Sequence, residues 1–220
     1  MSATAFLNYC LERNVLRFGE FTLKSGRVSP YFFNAGLFDR SSDLVHLGRY
    51  YAQAIVQSGL VFDQLFGPAY KGIPLVAAVS IALYQDYGRD LPWSFNRKEV
   101  KNHGEGGQLV GAALQGRILI IDDVITAGTA IRESVGIIRS TGAEPVGVVV
   151  AMDREERGQG EHSALQDVEE TLGLRAIPVA RLTDLIEMLT EQSEKNAVKT
   201  PTASLDALRT YRACYGTTRQ

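Results

Sequence analysis

The sequence is poor in cysteine, and its two thiols, Cys10 and Cys214, lie near opposite ends of the chain. This spacing excludes a disulfide framework and a Cys-x-x-Cys metal site, and it favours two reduced thiols. Long apolar runs are also missing, because segments 75–84 and 146–152 are far shorter than the roughly 18 residues that a membrane span needs. The first residues have neither a basic start nor an apolar centre, which excludes a secretory signal. We therefore expect a soluble, cytoplasmic protein.

A strong charge of either sign is absent as well. The 220 residues include 23 Lys and Arg against 25 Asp and Glu, a formal net charge of −2. A general nucleic-acid binder or a polybasic membrane binder would carry a biased surface, so this balance argues against both. Apolar residues make up 45% and charged residues 22%, which is the composition of an ordinary globular protein. The composition favours an enzyme or a small-molecule binder.

The order of apolar segments predicts an α/β protein. Between residues 60 and 190, unbroken apolar strands alternate with helical patterns, which is typical of a parallel sheet covered on both faces. In front of it we predict a helix over 4–16, two extended segments around a turn at 24–27, and a helix that Ser41 or Ser42 caps and Gly59 ends. We expect one domain with an N-terminal segment (1–58), an α/β core (60–190), and a C-terminal part (191–220) made of a polar loop and a short helix.

The segment ILIIDDVITAGTA (118–130) carries the strongest chemical signal. A buried strand ends in two carboxylates, Asp122 and Asp123, and a loop of small and hydroxyl residues leads to a helix near Thr129. Backbone N–H groups at a helix N-terminus favour an anion such as phosphate. The adjacent carboxylates would repel a phosphate, so their partners are expected to be sugar hydroxyls, a metal ion or a developing cation.

A second glycine-rich turn lies between a predicted strand and helix, at GPAYKGIP (67–74). It has the two glycines of a P-loop without the Lys-Ser/Thr that must follow, and no G-x-G-x-x-G follows a strand. These absences exclude a P-loop and weaken a dinucleotide site. Its amides can still face an anion, with Lys71 adding a full charge, although a plain turn with a surface lysine is equally compatible with this segment alone.

A third segment, 96–107, follows the predicted strand LPWSFN and carries Arg97, Lys98, Lys101 and His103 before a run of glycines. Without apolar periodicity, it predicts a mobile loop that closes over something negative and excludes water. A solvated charged face is the simpler alternative. Together the three segments predict a ligand that is anionic at both ends and hydroxylated in the middle.

The acidic pair with its phosphate loop resembles the binding motif for 5-phosphoribosyl 1-diphosphate (PRPP) of the type I phosphoribosyltransferases. Three further segments, KSGRVSPYFFN (24–34), GPAYKG (67–72) and RKEVKNHGEGG (97–107), resemble the orotate phosphoribosyltransferases within that family. The likeness runs in order from about residue 14 to about residue 190. It implies a central parallel sheet flanked by helices, with a small N-terminal hood, and transfer of phosphoribose from PRPP to orotate in pyrimidine biosynthesis. It also implies Mg²⁺ bound with the pyrophosphate rather than by protein ligands, and a homodimer with shared active sites.

The resemblance also assigns roles to residues. Asp122 and Asp123 would hold the ribose and its cationic transition state, and Lys101 and His103 would join them as catalytic groups. The other PRPP contacts would be Lys24, Tyr70, Lys71, Arg97, Lys98, Val124, Ile125, Thr126, Ala127, Gly128, Thr129 and Ala130. Orotate would contact Phe32, Phe33 and Thr126, with Arg154 taking its carboxylate. No general base is expected, because orotate can attack as its own anion.

Three other functions share parts of this pattern. A purine or uracil phosphoribosyltransferase would share the PRPP loop but not the base-binding residues Phe32, Phe33 and Arg154. A PRPP-sensing regulator would need a DNA-binding module or a basic face, and neither is present in this nearly neutral sequence. A PRPP synthase-like enzyme would need an ATP site, for which no segment is found.

Overall fold

A computed structural model describes residues 2–23, 25–101, 107–125, 128–158, 160–194 and 202–217. Within these ranges the elements are α1 (Ala3–Glu12), β1 (Leu16–Thr22), β2 (Val28–Phe33), a 3-10 turn (Ala35–Leu37), α2 (Ser41–Ser58), β3 (Gln64–Gly67), α3 (Gly72–Tyr87), β4 (Trp93–Lys101), β5 (Gly107–Gly111), β6 (Arg117–Ile121), α4 (Thr129–Ser140), β7 (Glu144–Asp153), α5 (Ala164–Leu172), β8 (Arg175–Arg181), α6 (Leu182–Glu194) and α7 (Thr202–Tyr215).

The described part of the chain forms a six-stranded sheet in the order β5-β4-β3-β6-β7-β8 and a separate β1-β2 hairpin. Every neighbouring pair in the larger sheet is parallel except β4 and β5, which are antiparallel at one edge. The predicted parallel sheet is therefore confirmed, with an antiparallel edge strand added. The carboxyl ends of its central strands meet at one rim, where ligands bind in open α/β sheets.

Apolar side chains cover both faces of this sheet. Along β6, Ile118 and Ile120 pack on one side with α4 and α5, whereas Leu119 and Ile121 pack on the other with α1, α2, α3, α6 and α7. This alternation within one continuous apolar run is the pattern of a strand buried on both faces. This packing on both faces fixes the direction in which the chain leaves β6 after Ile121.

Helices α2 and α3 cross closely on one face of the sheet. A Cβ atom at Gly48 would lie 2.5 Å from the carbonyl oxygen of Ala78, so only glycine allows this approach. The two helices thereby form one layer behind β3 and β6.

The N-terminal helix is attached to α2 through Asp43. Its buried carboxylate accepts hydrogen bonds from Arg13 Nε (2.8 Å) and from the Tyr9 hydroxyl (2.6 Å). Burial alone would raise the pKa of Asp43, but these bonds outweigh it and lower the pKa to about 2. Asp43 also accepts from the backbone amide of Arg40, the N-cap residue, so the predicted capping by Ser41 or Ser42 is wrong.

Other boundaries differ from the sequence prediction. Helix α1 ends at Glu12 because Asn14 has a left-handed φ of 55°, and Leu16 then begins β1. The predicted loop at 96–107 is in part a hairpin: residues through Lys101 continue β4, and Gly107–Gly111 pairs with it as β5. The sequence hides this extension of β4 because its residues 97–101 are rich in charge and lack apolar alternation. Helix α6 continues to Glu194, into the predicted polar loop.

None of the helices in the described ranges is long and apolar enough to cross a membrane.

Candidate active site

Asp122 and Asp123 follow β6 directly, at the carboxyl rim of the sheet. Neighbouring β7 holds their backbone, since the amide of Asp122 donates to Val149 (3.0 Å) and the carbonyl of Asp123 accepts from Ala151 (2.8 Å). The Asp122 carboxylate accepts a further bond from the amide of Asp123 (2.9 Å). Both side chains are almost fully buried. The sheet thus presents two carboxylates in a fixed geometry at the predicted sugar position.

The Asp122 carboxyl group has a raised pKa. Burial, followed by repulsion from Asp123, raises the pKa of Asp122 from 3.8 to about 7, although the Asp123 amide and Lys71 act in the opposite direction. Repulsion of this kind is relieved when a positive charge develops nearby. The pair is therefore suited to stabilise a cationic centre.

The turn 68–71 brings a cation to this pair. Lys71 Nζ lies 2.5 Å from Asp123 Oδ2, forming an ion pair in which the carboxylate is buried and the lysine is more than half exposed. The turn lies directly against β6: a Cβ at Gly72 would lie 2.9 Å from the carbonyl oxygen of Ile121. Glycine at this position therefore lets Lys71 reach the acidic pair.

Strand β4 holds the same turn from the other side. The side chain of Asn96 accepts a hydrogen bond from the amide of Ala69 (2.9 Å), and Lys98 Nζ lies 5.6 Å from the ring centre of Tyr70. The structure thus brings Lys98 beside Tyr70, the neighbour of Lys71 in the turn. Arg97 is half-buried in the same strand. Lys101 ends the strand, and its side chain lies outside what the structure describes, as does His103.

The phosphate loop begins with Val124 and Ile125 and ends at Gly128, which has a left-handed φ of 69° and precedes the first residue of α4, Thr129. Ala130 occupies the first turn of that helix. The intervening Thr126 and Ala127 lie outside the described residues. A guanidinium nitrogen of Arg132 would lie 3.2 Å from a Cβ atom at Gly128. The sequence does not reveal this cation, because an arginine in a helical pattern is indistinguishable from a solvated surface residue.

The predicted base-binding phenylalanines lie in β2 and face opposite sides of it. The ring of Phe32 stacks on Phe21, with centres 5.4 Å apart, whereas Phe33 points into the core near Phe6. The rings of Phe32 and Phe33 therefore do not form one stacking surface. Lys24, a predicted PRPP contact, lies outside the described residues.

Arg154 lies on the core side of β2. Its guanidinium donates to Glu156 Oε1 (2.8 Å from Nε) and to the Ser29 hydroxyl (2.9 Å from Nη2), and it lies 4.2 Å from the ring centre of Tyr31. Ser29, Tyr31 and Phe33 alternate toward this face, so Arg154 shares a side of the hairpin with Phe33 and not with Phe32. Arg154 is a predicted site residue, whereas the three residues that hold it, Ser29, Tyr31 and Glu156, were not predicted.

Comparisons with known proteins agree with this architecture. A family model described as a phosphoribosyl transferase domain matches residues 40–167. An orotate phosphoribosyltransferase of Thioalkalivibrio sulfidiphilus is 67% identical over 211 residues, 96% of each chain, and one of Pseudomonas aeruginosa is 57% identical over the same coverage. The crystal structure of orotate phosphoribosyltransferase from Francisella tularensis matches with a TM-score of 0.86 at 41% identity, covering 97% of this chain and 100% of that one. The expected type I phosphoribosyltransferase fold is confirmed, and the chain belongs to the orotate phosphoribosyltransferase family.

Proposed function

We propose that the chain transfers the phosphoribosyl group of PRPP to orotate, giving orotidine 5′-monophosphate and pyrophosphate in pyrimidine biosynthesis. The observation that carries this proposal is the contact of Lys71 with Asp123, beside Asp122 and just before the N-terminus of α4. It places a cation, two carboxylates and an anion-binding helix end along one rim of the sheet. This is the order that the pyrophosphate, ribose and 5′-phosphate of PRPP require.

The reaction breaks the bond between C1 of the ribose and the pyrophosphate oxygen, and it forms a bond from C1 to N1 of orotate. Positive charge develops on the ribose ring while negative charge grows on the pyrophosphate. Asp122 and Asp123 stabilise the first, and Lys71 with the β4 cations Arg97 and Lys98 stabilises the second. Lys101 and His103 complete that set as groups that shield or protonate the pyrophosphate. Orotate attacks as its own anion, so no general base is assigned.

The 5′-phosphate is bound by residues 124–130. Gly128 is the N-cap of α4 and has no side chain, so an anion can approach the first backbone amides of the helix closely. Thr126 contacts both this phosphate and orotate in the proposal. Lys24 reaches the pyrophosphate from the loop between β1 and β2.

Orotate lies under the β1-β2 hairpin in this proposal. Arg154 takes its carboxylate, because a guanidinium forms strong charge-assisted hydrogen bonds with a carboxylate. Phe32 and Phe33 contribute through the main chain of β2 and through apolar contact. A purine or uracil lacks that carboxylate and would leave the arginine without its ligand.

Magnesium is the proposed cofactor. Among the described residues no group of three or more His, Cys, Asp and Glu side chains is placed to hold a metal. The Asp123 carboxylate already forms an ion pair with Lys71. These residues fit an ion held mainly by the diphosphate and water, which is the usual way Mg²⁺ is bound with phosphorylated substrates. When bound, it would add positive charge to the leaving group.

The proposed assembly is a homodimer with active sites shared between the subunits. It is supported by the outer face of α3, where Ile81 and Tyr84 are each more than half exposed and one helical turn apart. A second copy of this chain is the proposed occupant of this face. We further propose that the chain acts as one domain in the cytoplasm. Its three parts are the hood (1–58), the core (60–190) and the C-terminal part (191–220).

The deciding experiment follows the ultraviolet absorbance of orotate with PRPP and Mg²⁺ present and with each omitted in turn. Loss of orotate that needs all three, with pyrophosphate released, supports the proposal. Unchanged orotate together with binding of PRPP would overturn the base assignment, and adenine, hypoxanthine, guanine and uracil would then be tested. Light scattering of wild type and Ile81→Glu would test the dimer, with a monomeric wild type contradicting it.

A further inference from the structure

The C-terminal segment, defined as Tyr211–Thr217, has no role in the proposed reaction, yet it contacts the residues around Arg154. The amide of Thr217 donates to the carbonyl of Glu155 (2.8 Å), and the amide of Arg157 donates to the carbonyl of Tyr215 (2.9 Å). Glu156 and Gly216 form an antiparallel bridge between these two bonds. The turn that carries Arg154 is therefore paired with the end of the chain as a short two-stranded ladder.

The same turn has an unusual backbone conformation. Glu155 has a φ of 51°, in the left-handed region that residues with a side chain rarely adopt. Its carboxylate accepts bonds from the amide (2.8 Å) and hydroxyl (2.5 Å) of Thr183, at the start of α6. A conformation of this kind persists only where its surroundings hold it, and such positions cluster at functional sites. Here α6 holds one side of the turn and the C-terminal segment holds the other.

The guanidinium of Arg154 is itself held on several sides. Glu156 accepts from two of its nitrogens, Ser29 accepts from one, and Tyr31 supplies a ring face. Tyr211, from α7, packs its ring edge-on against Tyr31. The Tyr31 hydroxyl is buried without a hydrogen-bond partner among the described residues, and the buried Tyr211 hydroxyl lies beside Arg154 and Ser29. A buried hydroxyl without a partner is one that a bound ligand or a water molecule can satisfy.

We propose that Glu156, together with Tyr211 and the rest of the C-terminal segment, positions Arg154 and thereby sets affinity and selectivity for a base that carries a carboxylate. This inference rests on the proposed role of Arg154 in binding orotate. Glu156 is a positioning residue, because it acts through the orientation of the arginine. The carboxylate of the base would join the guanidinium at the edge that Glu156 and Ser29 leave open.

The test measures KM for orotate and KM for PRPP in Arg154→Ala, Glu156→Ala, Glu156→Gln and Tyr211→Leu. We expect Glu156→Ala to raise the KM for orotate about tenfold with the KM for PRPP changed less than twofold, and Tyr211→Leu to act in the same direction. Gln retains an acceptor for the guanidinium, so Glu156→Gln should recover most of the loss. Glu187→Gln, an exposed position on α6, is the matched control and should behave as wild type.

The double variant Arg154→Ala/Glu156→Ala separates positioning from general damage to the fold. If Glu156 acts through Arg154, the double variant loses no more affinity for orotate than Arg154→Ala alone. Additive losses, or an unchanged KM for orotate in Glu156→Ala while Arg154→Ala is impaired, would overturn the positioning role. An unchanged KM for orotate in Arg154→Ala would instead overturn the assignment of the carboxylate site. A wild-type protein that does not consume orotate would refute the proposed function itself.

Discussion

The hydroxyl of Tyr51, fully buried in α2, donates a 2.9 Å hydrogen bond to the main-chain carbonyl of Asp122. Burial raises the pKa of this phenol well above its ordinary value, so it remains a donor over the whole working pH range. Together with the backbone bonds from β7, this contact fixes the direction in which the acidic pair leaves the sheet. Helix α2 thereby contributes to the geometry of the acidic pair.

Tyr51→Phe should reduce both stability and turnover. The Asp122 carbonyl would lose its partner in a buried place, which costs about 1–3 kcal/mol, and the acidic pair would lose one of its fixed points. Tyr50→Phe is a matched control on the same helix, because the Tyr50 hydroxyl donates to the Ala5 carbonyl, away from the site. The Tm measured by thermal unfolding and kcat should both fall for Tyr51→Phe, whereas kcat should be retained in Tyr50→Phe. Equal kcat in the two variants would remove Tyr51 from the site.

Lys71→Ala should weaken the binding of PRPP more than it lowers the stability of the fold. The substitution removes the cation proposed to meet the pyrophosphate, and it leaves the buried Asp123 carboxylate without its ion pair. Charge-assisted contacts are the strong ones, so we expect KM for PRPP to rise about tenfold or more, which corresponds to about 1.4 kcal/mol. Steady-state kinetics at saturating orotate measure this change. A KM for PRPP equal to that of the wild type would show that the ion pair is structural only.

Asp122→Asn should stabilise the free protein at pH 8 while lowering its activity. Because the pKa of Asp122 is raised to about 7 in the folded chain from an ordinary value of 3.8, the folded state binds the extra proton between these values. The stability that this proton contributes is complete below about pH 4 and lost as pH rises through 7. Asparagine never ionises, so Tm at pH 8 should increase by about 3 °C or more, and the decline toward pH 8 should become shallower.

Asp63→Asn provides a control of opposite sign. Hydrogen bonds from Arg117 lower the pKa of Asp63, so its contribution to stability is present at pH 8 and lost in acid. Asp63→Asn should therefore lower Tm at pH 8 and leave activity intact. If Asp122→Asn also lowered Tm at pH 8, the buried carboxylate would be better solvated than its surroundings indicate.

Gly48→Ala should destabilise the protein, although alanine is the better helix former. A Cβ at this position would lie 2.5 Å from the carbonyl oxygen of Ala78, so α2 and α3 would have to separate, at a cost of about 1–3 kcal/mol. Gly136→Ala is the control in α4, where nothing lies within 4 Å, and it should stabilise by about 0.5–1 kcal/mol. Chemical denaturation would resolve both changes. Stabilisation by both substitutions would show that the helix crossing can relax.

The acidic pair and the phosphate loop were predictable because they are contiguous with the strand before them and the helix after them. Residues 118–130 contain the whole unit, and short-range patterns are sufficient to identify it. The turn with Lys71 was predicted as a candidate, but its contact with Asp123 joins residues 52 positions apart. Only the pairing of β3 with β6 brings them together.

The supports of the site were not predictable in the same way. Tyr51 has the sequence pattern of an ordinary core residue, and its hydrogen bond to Asp122 spans 71 positions. Ser29 and Arg154 are 125 positions apart, and nothing local connects a serine in a hairpin to an arginine after a distant strand. Strand β5 was missed for a different reason, since five residues with glycine at both ends give no clear period.

The contacts of the C-terminal segment have a consequence for how the protein is made. Arg154 leaves the ribosome well before Thr217, and the ladder that pairs the turn after β7 with the end of the chain cannot form until that last stretch has emerged. The sheet rim with Asp122 and Asp123 is built from residues that precede the end of β7, and domains begin to fold as their residues are synthesised. In a nascent chain, the surroundings of Asp122 and Asp123 can therefore form before the ladder that holds the turn with Arg154.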